Sequence, residues 1–189
     1  MRPWIMLLVL AGLASVPSAA SGAADERPLV LAIKLDSEIN PVSASFVKDS
    51  IDRAKSDHAA ALVILLDTPG GLSTSMQDIY EAELASPIPV IVYVSPDGAR
   101  AASAGVYVTM ASDVAAMAPV TNIGSATPID SNGGDIGGTL GRKITNDAAA
   151  FVRALTASHG RNADVAEQMV RKATNLEASK AAQVHLVDL

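Results

Sequence analysis

The stretch "GARAASAGVYVTM" at positions 98–110 sets one serine, Ser103, among alanines and a glycine, ahead of an apolar run. An element built only for core packing would carry larger side chains there. Small neighbours on both sides of a hydroxyl leave room for another chain to come close to it. A second stretch, "DTPGG" at 67–71, directly follows the strongest strand of the chain, "AALVILL" at 60–66. Two glycines between a strand and a helix let backbone N–H groups turn outward toward an oxyanion or a phosphate. The Lys-Ser or Lys-Thr pair of a phosphate loop is missing. Ser103 follows the next strand and opens the next helix, where open α/β sheets place their ligand sites. From there it can attack a carbonyl while N–H groups at Gly70 or Gly71 and at Ala104 hold the developing oxyanion. Donors of that kind are worth ~3–4 kcal/mol each. The competing reading is that Ser103 merely caps its helix.

A serine nucleophile needs a base. His58 stands just before a strand, His159 at a helix end beside Gly160 and His185 near the C-terminus, with no pair at ligand spacing. His159 is well explained as a positive group at a helix C-terminus, so a Ser-His-Asp triad is poorly supported. Lysine is the other choice, where burial favours the neutral amine. Lys143 is the leading candidate, because it precedes Ile144 and an alanine-rich helix against which its stem can lie. Lys34, Lys48, Lys55, Lys172 and Lys180 sit in amphipathic or charged settings. A plain charge at a loop end is the alternative for Lys143.

These residues need a scaffold, and the chain alternates apolar strands with amphipathic helices. Strands are expected at 29–35, 60–66, 88–94 and 114–119. Asn40-Pro41 starts a helix with Val42, Phe46, Val47, Ile51 and Ala54 on one face. Further helices are expected over 74–85 and from Ser103 to Ala111. "TNDAAAFVRALTASHG" places Ala148, Phe151, Val152 and Leu155 inward and closes at Gly160. Asn162 caps a last helix with Val165, Met169 and Val170 inward. The pattern predicts an α/β fold, a mostly parallel sheet with helices on both faces. Residues 130–142, "DSNGGDIGGTLGR", read as a mobile glycine-rich surface loop.

Residues 1–23 carry an early arginine, an apolar run from Trp4 to Leu13, Pro17 and then small residues. This is the pattern of a secretory signal peptide, and the run is shorter than the ~20 residues of a membrane span. An exported protein with one domain over 24–189 is expected. The chain has no cysteine, which excludes disulfides, thiolate metal sites and cysteine nucleophiles. A net charge of −6 without a basic cluster argues against nucleic acid as a partner.

"DTPGG", the block from "GARAASAG" to "GSATPI", and "RKITNDAAAFVRALTASHGRN" occur in that order. Together they resemble the protease domain of the NfeD-type membrane-bound serine proteases, in the ClpP/crotonase-like superfamily and related to signal peptide peptidase A. The resemblance covers nearly all of 29–189. It implies repeated β-β-α or βα units and a Ser-Lys dyad endopeptidase, with Ser103 matching the nucleophile and Lys143 the base. It also implies an oxyanion hole at Gly70 or Gly71 and Ala104, and no metal or cofactor.

Such proteases cleave hydrophobic segments, notably the C-terminal region of stomatin-like membrane proteins, and often work as homodimers. The resemblance therefore implies a polypeptide substrate, a periplasmic or extracytoplasmic location, and membrane association through a partner or an uncleaved leader. Long members continue past a segment like "VDL" (187–189) into transmembrane helices and a small β-barrel domain, and a shortened form is one expectation here. The alternatives are a non-catalytic module that captures apolar tails of membrane proteins, and a crotonase-like acyl-CoA enzyme.

Overall fold

A computed structural model describes residues 27–189. The expected leader at 1–23 lies outside the described residues. The chain forms β1 (Val30–Leu35), α1 (Pro41–Ser56), β2 (Ala61–Leu66), α2 (Ser73–Leu84), β3 (Val90–Val94), β4 (Arg100–Ala102) and α3 (Ala104–Ala111). There follow β5 (Val114–Met117), β6 (Asn122–Gly124), α4 (Gly138–Ser158), α5 (Ala163–Arg171), β7 (Asn175–Glu177) and α6 (Ala178–Gln183).

The main sheet is parallel, in the order β1-β2-β3-β5. Its strands are the four read from their apolar runs. Leu62, Ile64, Leu66, Val90, Val92 and Val94 point into the core and are fully buried. The alternate residues Val63, Leu65, Ile91 and Tyr93 are only half-buried, and Val30, Ala32 and Lys34 on β1 are exposed. The mostly parallel sheet is flanked by helices as expected, and its fully buried side chains concentrate on one face. An open cleft of about 720 Å³ lies on the less buried face, lined by Lys34, Leu65, Tyr93 and Pro96.

A second, three-stranded sheet, β4-β6-β7, sits apart from the first. Its strands have three residues each, too short for a readable period. This small sheet matters because Ser103 directly follows β4.

The helices follow their start signals. Asn40 Oδ1 accepts from the N–H of Val42 and of Ser43, and the Ser43 hydroxyl accepts from the Asn40 N–H. Asn162 caps α5 through the Val165 N–H. On α1, Val47, Ile51 and Ala54 are buried as expected, but Val42 and Phe46 are exposed. On α4, Ala149, Val152 and Leu155 are buried, while Phe151 lies at the rim and packs its ring 4.8 Å from that of Tyr80.

Helix α3 is apolar on all sides, and every residue from Ala104 to Ala111 is buried. Its C-terminal carbonyls need a partner that water cannot supply. Arg161 supplies one, donating to the Met110 carbonyl at 3.2 Å, and it also donates to the Asp113 carbonyl just beyond the helix at 3.1 Å. Asp188 holds the same guanidinium at 2.7 Å. Burial would push the Asp188 carboxyl up. Hydrogen bonds from Arg161 and the Ala115 N–H outweigh it and hold the group below its ordinary range.

Glu83, on α2, is 3% exposed, and neither of its carboxyl oxygens has a hydrogen-bond partner among the described residues. Burial pushes this carboxyl well above its ordinary range, Asp113 adds to the effect and Arg161 opposes it. The folded state thus keeps a proton that the unfolded chain releases. Stability from this group is complete in acid, below the unfolded value, and declines as pH rises toward the folded one. Glu83→Met is expected to add about 1–3 kcal/mol at neutral pH. Its advantage in Tm over the parent should also grow with rising pH in melts between about pH 5 and pH 8, because the parent alone loses this group's contribution. A variant no more stable than the parent at the upper end would contradict this.

Candidate active site

Ser103 joins β4 to α3 at φ 53° and ψ −113°, a left-handed backbone that a residue with a Cβ rarely adopts. Its N–H donates to the Gly124 carbonyl at 3.0 Å, and its carbonyl accepts from the Val106 N–H at 3.0 Å. The turn is thereby pinned on both sides. The side chain does not cap the helix, and Oγ makes no hydrogen bond among the described residues. Capping as the reason for a serine is therefore excluded. A hydroxyl held free on a strained strand-to-helix turn is the geometry of a nucleophile elbow.

The glycine turn lies against it. A Cβ added to Gly70 would stand 2.6 Å from Ser103 Cβ and 3.1 Å from its Oγ. Only a residue without a side chain can occupy this position beside the hydroxyl. A Cβ at Gly71 would strike the Ile39 carbonyl oxygen at 2.0 Å. The Gly70 N–H is already engaged by Thr68 Oγ1 at 3.2 Å. The N–H groups of Gly71 and Ala104 have no partner among the described residues.

The remainder of "DTPGG" builds the frame. Asp67 Oδ1 accepts from the Arg100 N–H at 3.1 Å. The Thr68 N–H donates to the Arg100 carbonyl at 2.8 Å, and the Thr68 carbonyl accepts from the Ala102 N–H at 3.1 Å. Strand β4 is thus tied to the end of β2 one residue before the serine. The sequence reading missed Asp67 and Thr68. Their only signal was a polar pair where an apolar strand ends.

Lys143 is placed differently from the expectation. It lies in the second turn of α4, because the helix already begins at Gly138 inside the glycine-rich segment. Gly141 permits this early start, since a Cβ there would collide with the Ile136 carbonyl at 1.5 Å. The Lys143 side chain is exposed, not laid against apolar surface. Among the described residues no hydrogen bond joins its Nζ to Ser103 Oγ. Helix α4 is nevertheless tied to the serine helix by Tyr107, whose hydroxyl donates to the Ala148 carbonyl at 3.2 Å.

His58 and His185 are exposed, and His159 ends α4 with Nδ1 3.2 Å from the Leu155 carbonyl, a helix-end role. A cleft of about 570 Å³ opens beside the first turns of α4, lined by Arg142, Thr145, Asn146 and Arg171. Its lining does not include Ser103.

The profile of the NfeD1b N-terminal domain matches residues 29–189. The chain belongs to this family. Membrane-bound protease PH1510 of Pyrococcus horikoshii is 40% identical over 152 residues, 77% of this chain and 34% of that protein. Membrane protein NfeD1b of Bacillus subtilis is 35% identical over 108 residues, 57% of this chain and 24% of that one. This NfeD1b-family chain thus spans about a third or less of the length of these relatives.

Among solved structures, the 1510-N membrane-bound stomatin-specific protease aligns with a TM-score of 0.81 at 36% identity. That structure is a lysine-to-alanine variant in complex with a substrate peptide, and the match covers 86% of this chain and 75% of that one. A serine-to-alanine variant aligns at 0.80 with 36% identity, covering 86% and 79%. ClpP1 from Listeria monocytogenes aligns at 0.64 with 16% identity, covering 83% and 88%. At that identity the likeness is one of fold, and it places the NfeD1b-family domain among ClpP-like folds.

Proposed function

We propose that this domain is a serine endopeptidase using a Ser103–Lys143 dyad. It would cleave hydrophobic segments such as the C-terminal region of a stomatin-like membrane protein, on the extracytoplasmic side and as a homodimer. The observation that carries the reading is Ser103 itself, on a left-handed turn beside Gly70 with its hydroxyl unbonded among the described residues. Further support comes from the structures of the P. horikoshii protease, where a serine and a lysine were replaced at nearly the separation of Ser103 and Lys143. Leu72, directly after the glycine turn, and Leu140, at the start of α4, are exposed apolar side chains suited to an apolar peptide.

In this mechanism Ser103 Oγ attacks the scissile carbonyl and its proton passes to Lys143 Nζ. The N–H groups of Gly71 and Ala104 hold the oxyanion. Lys143 then protonates the leaving amine, and water releases the acyl group from Ser103 by the same route. In this mechanism Lys143, exposed in the second turn of α4, comes inward to Ser103 when a peptide binds.

The test is digestion of a synthetic apolar peptide from a stomatin-like C-terminal region, read by mass spectrometry. Cleavage is expected to survive chelators and to stop after treatment with an organophosphonate. Cleavage that stops with chelator and ignores the organophosphonate would overturn the reading. Exposed Lys143 favours a second reading, a non-catalytic module that holds apolar tails. Retention of the peptide by the parent protein without turnover would select it.

A further inference from the structure

We infer that Thr68 is a positioning residue that sets the oxyanion turn against the serine helix. The inference rests on Ser103 acting as nucleophile. Thr68 is fully buried, and each of its groups reaches a different part of the site. Its backbone N–H and carbonyl clamp β4 on either side of Ala101. Its hydroxyl donates to the Ser37 carbonyl at 2.7 Å and accepts from the Gly70 N–H at 3.2 Å. Its methyl lies 2.7 Å from where a Cβ on Gly105 would stand, against the first turn of α3.

The consequence concerns which donors are free. With its N–H held by Thr68 Oγ1, Gly70 is a fixed wall beside Ser103, and the next peptide unit offers the Gly71 N–H. Removing the Thr68 hydroxyl releases the Gly70 amide, and the turn loses its orientation toward the serine. A donor aimed at a transition state acts mainly on kcat. The methyl has a separate duty, because it limits how closely α3 approaches the turn and requires glycine at position 105.

The test is steady-state cleavage of the apolar peptide by Thr68→Val, Thr68→Ser, Gly105→Ala and the Thr68→Ser/Gly105→Ala pair. Thr68→Val keeps the shape without the hydroxyl and is expected to lose about 10- to 100-fold in kcat, with KM within about three-fold. Thr68→Ser keeps the hydroxyl and should hold kcat within about three-fold. Gly105→Ala should lose at least about ten-fold, and the double variant should recover most of it, because serine lacks the methyl that obstructs the new Cβ.

Equal losses in Thr68→Val and Thr68→Ser, or no recovery in the double variant, would overturn the inference. The double-variant arm stands even if Thr68→Val does not fold. Cleavage by the parent that disappears in Ser103→Ala establishes the underlying reading independently. Its absence would remove that reading and this inference with it.

Discussion

Ser103→Gly is expected to make the protein more stable and inactive at once. A residue with a Cβ at φ 53° and ψ −113° carries a backbone cost of about 1–3 kcal/mol. Glycine removes most of it, less the roughly 0.5–1 kcal/mol of extra entropy that an unfolded glycine carries. The Ser103 hydroxyl has no hydrogen-bond partner among the described residues, so its removal forfeits none there. A net gain of about 0.5–2 kcal/mol corresponds to a few degrees in Tm for a domain of this size. Ser103→Ala keeps the Cβ and should melt close to the parent. Both variants should lose at least about 10³-fold in kcat, as expected when a nucleophile is removed. Thermal melts and peptide cleavage on the three proteins check this. A glycine variant no more stable than the alanine one would show that the turn is unstrained.

Lys143→Arg is expected to be as inactive as Lys143→Ala, with at least about a 10³-fold loss of kcat in each. A general base must accept a proton, and a guanidinium cannot do so because it stays protonated throughout. Arginine keeps the positive charge and the long stem. It therefore separates proton transfer from charge attraction or anchoring of the substrate. Lys143 is exposed on α4, so neither change disturbs packing, and the melting temperatures of both variants should match the parent. Cleavage by Lys143→Arg within ten-fold of the parent would assign the lysine a binding role and leave Ser103 without its base.

The four strands of the main sheet were legible because each is a continuous apolar run ended by a turn. Asn40-Pro41 and Asn162 were legible because a cap is a local signal; the small residues of the glycine turn and around Ser103 stood out too, though they follow β2 and β4 and not consecutive strands. The short sheet around β4 was not, since three-residue strands have no period and exist only through partners distant in sequence. Phe46 and Phe151 were placed inward because helical spacing cannot show where the apolar stripe ends. The early start of α4 ran against the glycines, whose low helix propensity is overridden at Gly141 by the close approach of Ile136. Thr68 was illegible for a related reason. Its role comes from Ser37, Gly70, Arg100, Ala102 and Gly105 meeting around one buried side chain.

The central claim is that Ser103 is the nucleophile. It is tested most directly by locating the adduct formed with a fluorophosphonate, using peptide mass spectrometry of the labelled protein. The expected result is one modification, on Ser103, formed at least about ten-fold more slowly in Lys143→Arg. Modification of another residue, or none under conditions where the peptide is still cleaved, would contradict it.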